Sequence, residues 1–250
     1  MKVIKINDIY TYLFCPHLYE LGESLPQSNL YETTLKLAIH RFFKNHIGEI
    51  INGSTNYHSL LRTWTYLFSK YFPDVDNTMR LNALDVIKRV YSEYEEFKYR
   101  IVGVNYPISY QLGNVKIDLN IPIVFVDNDK IILNWIRVEG STSRQQLELT
   151  RRIATAAVLQ NSKEITSDKI VHMVIEINTD KMMVRKFIDN ISSPYHLKKT
   201  DSLLFRILSG MKTSGLMFYN VNSCMTCPSR KCEYGIKSNN PRRIFIPWSN

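Results

Sequence analysis

No stretch of this sequence is apolar over enough residues to cross a bilayer, so no transmembrane helix is expected. The opening residues MKVIKINDIY carry no apolar leader segment, so the expectation is an intracellular, cytoplasmic protein without a membrane role. Internal repeats and low-complexity tracts are absent as well. Cysteine is scarce, with four in 250 residues. In a reducing compartment so few cysteines are more often metal ligands or free thiols than disulfides. Acidic side chains are in the minority, with 23 Asp and Glu against 32 Lys and Arg, a formal charge of +9. A basic excess of this size favours a polyanionic partner, DNA or RNA. What remains, 44% hydrophobic and 22% charged residues, suffices for one sizeable core, or a core with a helical insertion. The usage of Asn, Lys and Ile suggests an AT-rich genome, of phage or viral type.

The hydrophobic period changes along the chain. The segment INDIYTYLFCPHLYELGES reads as a short helix, with Asn7 or Asp8 as its N-cap, that runs into a Cys-Pro break. LYETTLKLAIHRFFKNH places Leu35, Ile39 and Phe42 at helical spacing with His40 beside that stripe. Two more helices are predicted over YHSLLRTWTYLFSKYF and NTMRLNALDVIKRVYSEYEEFKY. The period then shortens to that of strands. RIVGVNYPISYQL, NVKIDLNIPIVFVD and KIILNWIRV form a predicted antiparallel meander with hairpin turns at LGN and DND. A helix over SRQQLELTRRIATAAVLQ, a strand pair over DKIVHMVIEINTD and KMMVRKFID, and a helix over DSLLFRILSGM follow. The order predicts one α/β domain over 1–250: a helical part to about 100, a sheet core over about 101–212, and a cysteine segment with a tail over 213–250.

Three of the four cysteines stand together in NSCMTCPSRKC, at C-x-x-C-x-x-x-x-C spacing. A closed tetrahedral site needs a fourth ligand, and the remaining candidate is Cys15 in YLFCPHLYEL. One thiolate near the start and three near the end would tie the chain ends together. Four thiolates suit zinc or an iron–sulfur cluster equally well by spacing.

Y-x-x-C-P-x-x-Y near the start, a His within the next long helix, and C-x-x-C-P-x-R-x-C near the end together resemble the iron–sulfur branch of the PD-(D/E)XK nucleases. That branch includes the CRISPR-associated adaptation exonucleases and the RecB- and AddB-like nuclease domains. The family usually has one more residue before the last cysteine. The resemblance implies a restriction-endonuclease-like mixed sheet core with a helical N-terminal insertion. It also implies a 4Fe-4S cluster on Cys15, Cys224, Cys227 and Cys232 that joins the chain ends, with zinc as the alternative occupant.

Members of the family cleave a phosphodiester with one or two divalent ions, Mg or Mn, which polarise the phosphate and activate water. The resemblance assigns the helix His to His40, although the Gly usual before it is Leu37 or a neighbour here. It assigns the strand Asp to Asp118. The D/E-x-K positions fall on Asn134 and Ile136, where a neutral amide and an alkyl chain replace a charged ligand and a lysine. Gln146 matches the glutamine of the next helix, with Thr150 in place of a tyrosine. Strand alternation puts Glu139 on the face opposite Asn134 and puts Lys116 on the face of Asp118, so these two are the candidates for a displaced carboxylate and lysine. Arg137, Arg151 and Arg152 are nearby cations, and the Arg151–Arg152 pair is expected to contact phosphates. The expected function is a catalytically inactive nuclease-like protein. It would bind nucleic acid or serve as a subunit of a replication, recombination or transcription assembly. The alternative is a working metal-dependent exonuclease with a migrated lysine and carboxylate. The tail KSNNPRRIFIPWSN reads as a strap or a partner-docking segment.

Overall fold

The computed structural model describes residues 1–23, 30–51, 53–95, 99–139, 143–178, 181–190 and 194–212. Cys224, Cys227, Cys232 and the C-terminal tail lie outside the described residues. The elements run β1 (Lys2–Lys5), α1 (Ile6–Phe14), α2 (Pro16–Glu20), α3 (Leu30–Asn45), α4 (Gly53–Tyr71), α5 (Asn77–Glu95), β2 (Arg100–Leu112), β3 (Val115–Asp127) and β4 (Lys130–Val138). They continue with α6 (Arg144–Asn161), a single 3-10 turn, β5 (Ile170–Asn178), β6 (Met183–Asp189) and α7 (Pro194–Gly210).

Six strands form one mixed sheet in the order β1-β3-β4-β5-β6, with β2 also paired to β3. The expected meander is antiparallel between β3 and β4, as are β5 and β6. β4 and β5 are parallel, however, and α6 supplies the long connection that a parallel pair needs. The turn before β3 uses Gly113 at φ 57, and the turn before β4 uses Asn128 at φ 54, both in the left-handed region that Gly and Asn tolerate best.

The chain divides into two compact units: residues 1–27, 111–118 and 198–250, and residues 28–110 and 119–197. In the first unit β1 pairs in parallel with the start of β3, Lys2 opposite Val115 and Lys5 opposite Asp118. This strand was not expected from the sequence. Its four residues have no local partner, and a parallel mate more than a hundred residues away leaves no signal nearby. Because β1 runs straight into α1, the helix cap also moves. Lys5, not Asn7 or Asp8, is the N-cap, and the Asp8 carboxylate accepts the Lys5 backbone N–H at 2.9 Å from within the first turn. Gly210, the last residue of α7, passes so close to Tyr12 that a Cβ there would collide with the tyrosine hydroxyl.

In the second unit one face of the sheet packs under α3, α4 and α5. Leu35, Ile39 and Phe42 of the predicted stripe are buried, as are Trp64, Val90 and Tyr94. Alternate strand residues complete this core: Ile123 and Phe125 of β3, Ile132 and Ile136 of β4, and Met173, Ile175 and Ile177 of β5. Its centre is aromatic. Phe43 lies 4.9 Å from Tyr94 and 5.3 Å from Phe125, both edge to face, and Tyr99 stacks on Phe125 at 5.3 Å. α6 contributes to the opposite face.

Candidate active site

Asn134 sits mid-strand in β4, directly opposite Ile123 of β3 and Met173 of β5. It is 0% exposed. Its Oδ1 accepts from the Tyr94 hydroxyl at 2.9 Å, and its Nδ2 donates to the Met173 carbonyl at 3.2 Å. Burial pushes the Tyr94 phenol far up, so it stays protonated and keeps donating. Ile136, two residues on, packs in the same helix-covered core. The two positions at which the resemblance expects a carboxylate and a lysine are thus an internally bonded amide and an aliphatic packing residue.

His40 lies on α3 in one stripe with Glu32 and Lys36, each four residues apart. Glu32 is fully buried and ion-paired to Lys36. Burial, and then the charge of Lys36, lower the His40 pKa to about 4, so the imidazole is neutral at physiological pH. Its buried Nε2 has no hydrogen-bond partner among the described residues.

Asp118 and Lys116 belong to the first unit. They stand two residues apart on β3 and therefore share a face, with Lys116 Nζ 3.4 Å from Asp118 Oδ1. Cys15 is in the first unit too, at the junction of α1 and α2. It is a free thiol, 4% exposed, and its backbone N–H donates to the Thr11 carbonyl at 2.9 Å. Among the described residues no three His, Cys, Asp or Glu side chains gather as a group that could hold a metal ion.

The other face of the second unit's sheet is rich in charge. Arg137 of β4 pairs with Glu176 of β5, its neighbour in register. The second oxygen of Glu176 takes Arg144 at 3.2 Å. Glu139, just past β4, bonds to Asn178 on this same side. Gln146 is occupied at the start of α6: Ser143 Oγ accepts its backbone N–H at 3.1 Å, and its own Oε1 accepts that of Ser143 at 3.2 Å. Thr150 bonds back to the Gln146 carbonyl at 2.9 Å. Arg151 turns inward and is paired with Asp189 and Glu148, while Arg152 reaches Glu148 at 2.9 Å. Both members of the Arg151–Arg152 pair are thus engaged with carboxylates.

Deeper in this face lies a group that the sequence did not single out. Trp135 Nε1 donates to His172 Nδ1 at 3.0 Å. An indole N–H can only donate, so the proton of His172 sits on Nε2 and points to Thr155 Oγ1, 2.7 Å away. Thr155 in turn donates to the Arg151 carbonyl at 3.1 Å. Burial, then the charge of Arg151, hold His172 at a pKa of about 3. Every polar atom of the chain is used, so it fastens α6 to the sheet. The signal for it was His172, a polar residue within the apolar run IVHMVI of β5.

No protein-family model matches the chain, and no curated protein matches it in sequence. The comparison with solved structures does give matches. The crystal structure of a "putative exonuclease" from Eubacterium rectale superposes with a TM-score of 0.54 at 12% identity, covering 99% of this chain and 91% of that one. The crystal structure of SSO0001 gives a TM-score of 0.34 at 13% identity, over 84% of this chain and 89% of that one. The mixed α/β fold of this chain is similar to that of the Eubacterium rectale protein over nearly its whole length.

Proposed function

We propose that the protein is a nuclease-fold molecule that binds nucleic acid and does not cleave it. The observation that carries this reading is the state of Asn134. Both ends of its amide are bonded inside the core, and Ile136 beside it is a packing residue. A metal-dependent nuclease needs charged oxygen ligands and a cation open to the scissile phosphate at these positions. The fold likeness to the Eubacterium rectale protein and the net charge of +9 supply the rest: a scaffold used on nucleic acid, and the sign of charge that attracts it. A subunit role in a replication, recombination or transcription assembly is part of the same proposal.

The four cysteines are proposed to hold a 4Fe-4S cluster. Cys15 suits such a role, because it is a buried thiol at the break between two helices, where its backbone N–H is already bonded. Cys224, Cys227 and Cys232 would supply the other three thiolates, and the cluster would serve as a structural clasp.

A second reading, an active exonuclease, is favoured by one observation: the Lys116–Asp118 contact on a shared strand face. The test that separates the two is cleavage of end-labelled single- and double-stranded DNA with magnesium or manganese by protein purified without oxygen. Asp118→Ala is the control. Binding without cleavage is the expected result. Cleavage that Asp118→Ala abolishes would establish the exonuclease instead.

A further inference from the structure

The charged face of the second unit's sheet is graded along its rungs. Register places Trp135, Val174 and Phe187 side by side on β4, β5 and β6, and Arg137, Glu176 and Arg185 side by side two residues further on. α6 covers this face with Arg144, Leu147, Glu148 and Arg151. Between helix and sheet lies a cavity of about 510 Å³, within the usual range for ligand sites. Leu147, Val174 and Phe187 form its apolar wall, and Phe187 is 45% exposed. A second cavity, of about 100 Å³, shares Arg144 and Glu176 with the first and adds Lys181 and Arg185.

Charge is unevenly spread over this pair. The second cavity, with the adjoining Arg137 of the first, sets Arg137, Arg144, Lys181 and Arg185 against two carboxylates, Glu139 and Glu176, among the described lining residues. The Arg144 side chain is 76% exposed and spends one contact on Glu176, so most of its donors point to solvent. At the far end Arg151 is matched by Asp189 and Glu148. The result is an apolar, aromatic-walled chamber with a cationic mouth.

We propose that this cavity seats one nucleotide of a single-stranded nucleic acid, with its base against Phe187 and Leu147 and its phosphate at Arg144 and Arg185. A base inside a duplex is stacked on its neighbours and cannot present its face to Phe187, whereas a single strand can. The guanidiniums match the paired oxygens of a phosphate. This inference rests on the nucleic-acid-binding reading above and names the strand state and the place.

The experiment uses the full chain purified without oxygen, a fluorescein-labelled oligothymidylate, and a duplex of the same length. Phe187→Ala and an Arg144→Ala/Arg185→Ala double variant are compared with the parent. Phe187 and Arg144 are solvent-facing, and unchanged circular dichroism would verify folding. Phe187→Ala should weaken oligothymidylate binding roughly ten- to hundred-fold and leave duplex binding unchanged. The double variant should weaken binding and flatten its salt dependence by about one phosphate contact. Replacing thymines by 5-iodouracil should direct photocrosslinks to Phe187 and its neighbours. Parental binding with both variants equally tight, or with crosslinks confined elsewhere, overturns the cavity and leaves the nucleic-acid reading standing. Failure of the parent to bind either probe overturns both.

Discussion

Asn134 shows how a position can keep its place in a strand and change its work. A carboxylate there would be fully buried, would lose the donor that Nδ2 offers to the Met173 carbonyl, and would place a charge where the core has only Tyr94 to meet it. Asn134→Asp is therefore expected to lower stability by about 2–5 kcal/mol without gain of nuclease activity, read from urea unfolding beside the cleavage assay. Two histidines set a pH dependence at the same scale. In the folded chain His172 and His40 have pKa values of about 3 and about 4. Unfolding returns both to an ordinary value near 6.5, so the unfolded chain takes up protons that the folded chain refuses. Their contribution is intact above about pH 6.5 and is lost as pH falls toward 4, at roughly 1.4 kcal/mol per pH unit for each. Denaturant unfolding at pH 7 and pH 5 should differ by roughly 3–4 kcal/mol from these two groups, and a level profile would contradict their burial in the neutral form.

Among the elements, β4 and β5 depend on one carboxylate. Glu176 receives Arg137 and Arg144 on its two oxygens, and both Arg137 and Glu176 are nearly enclosed. Glu176→Gln would take from Arg137 its carboxylate partner in register and leave Glu139 and Glu32 as the remaining charges that favour it, and an unfolding free energy lowered by about 2–3 kcal/mol is expected. Capping is the other lever. Ser143→Ala removes the Gln146 N–H bond at the head of α6 and should cost about 1 kcal/mol in the same measurement. Apart from β1, the elements were legible in the sequence, because a stripe such as Leu35, Ile39 and Phe42 has the period of a helix and a Val/Ile-rich run such as NVKIDLNIPIVFVD has the composition of a strand. Strand parity was legible too: Asn134 points into the helix-covered core and Glu139 bonds to Asn178 beside Glu176. What could not be read was pairing between distant segments. The parallel β1–β3 and β4–β5 ladders, the Trp135–His172–Thr155 chain and the Phe187 cavity all join residues whose sequence neighbours say nothing about each other. The same holds for the ion pair between Arg151 of α6 and Asp189 of β6.

At the scale of the whole molecule, the proposed cluster and the net charge of +9 each make a prediction. Anaerobically purified protein should be brown with broad absorbance near 400 nm (about that of any such cluster), and stripping its iron should lower the melting temperature. A colourless protein that carries zinc would replace the cluster without removing the clasp. Nucleic-acid affinity should fall linearly on a log–log plot against salt, and an affinity indifferent to salt would argue against phosphate binding. The parallel ladder of the first unit has a consequence in time. Lys2–Lys5 find their mates at Val115–Asp118, so during synthesis at about 5–20 residues per second the opening strand waits on the order of ten seconds for its partner to be made. Over that interval KVIK has unpaired backbone groups while α1 and α2, which are local, can already form. A nascent-chain arrest series should therefore show protection of the first five residues from proteolysis appearing abruptly, only after β3 has left the ribosome.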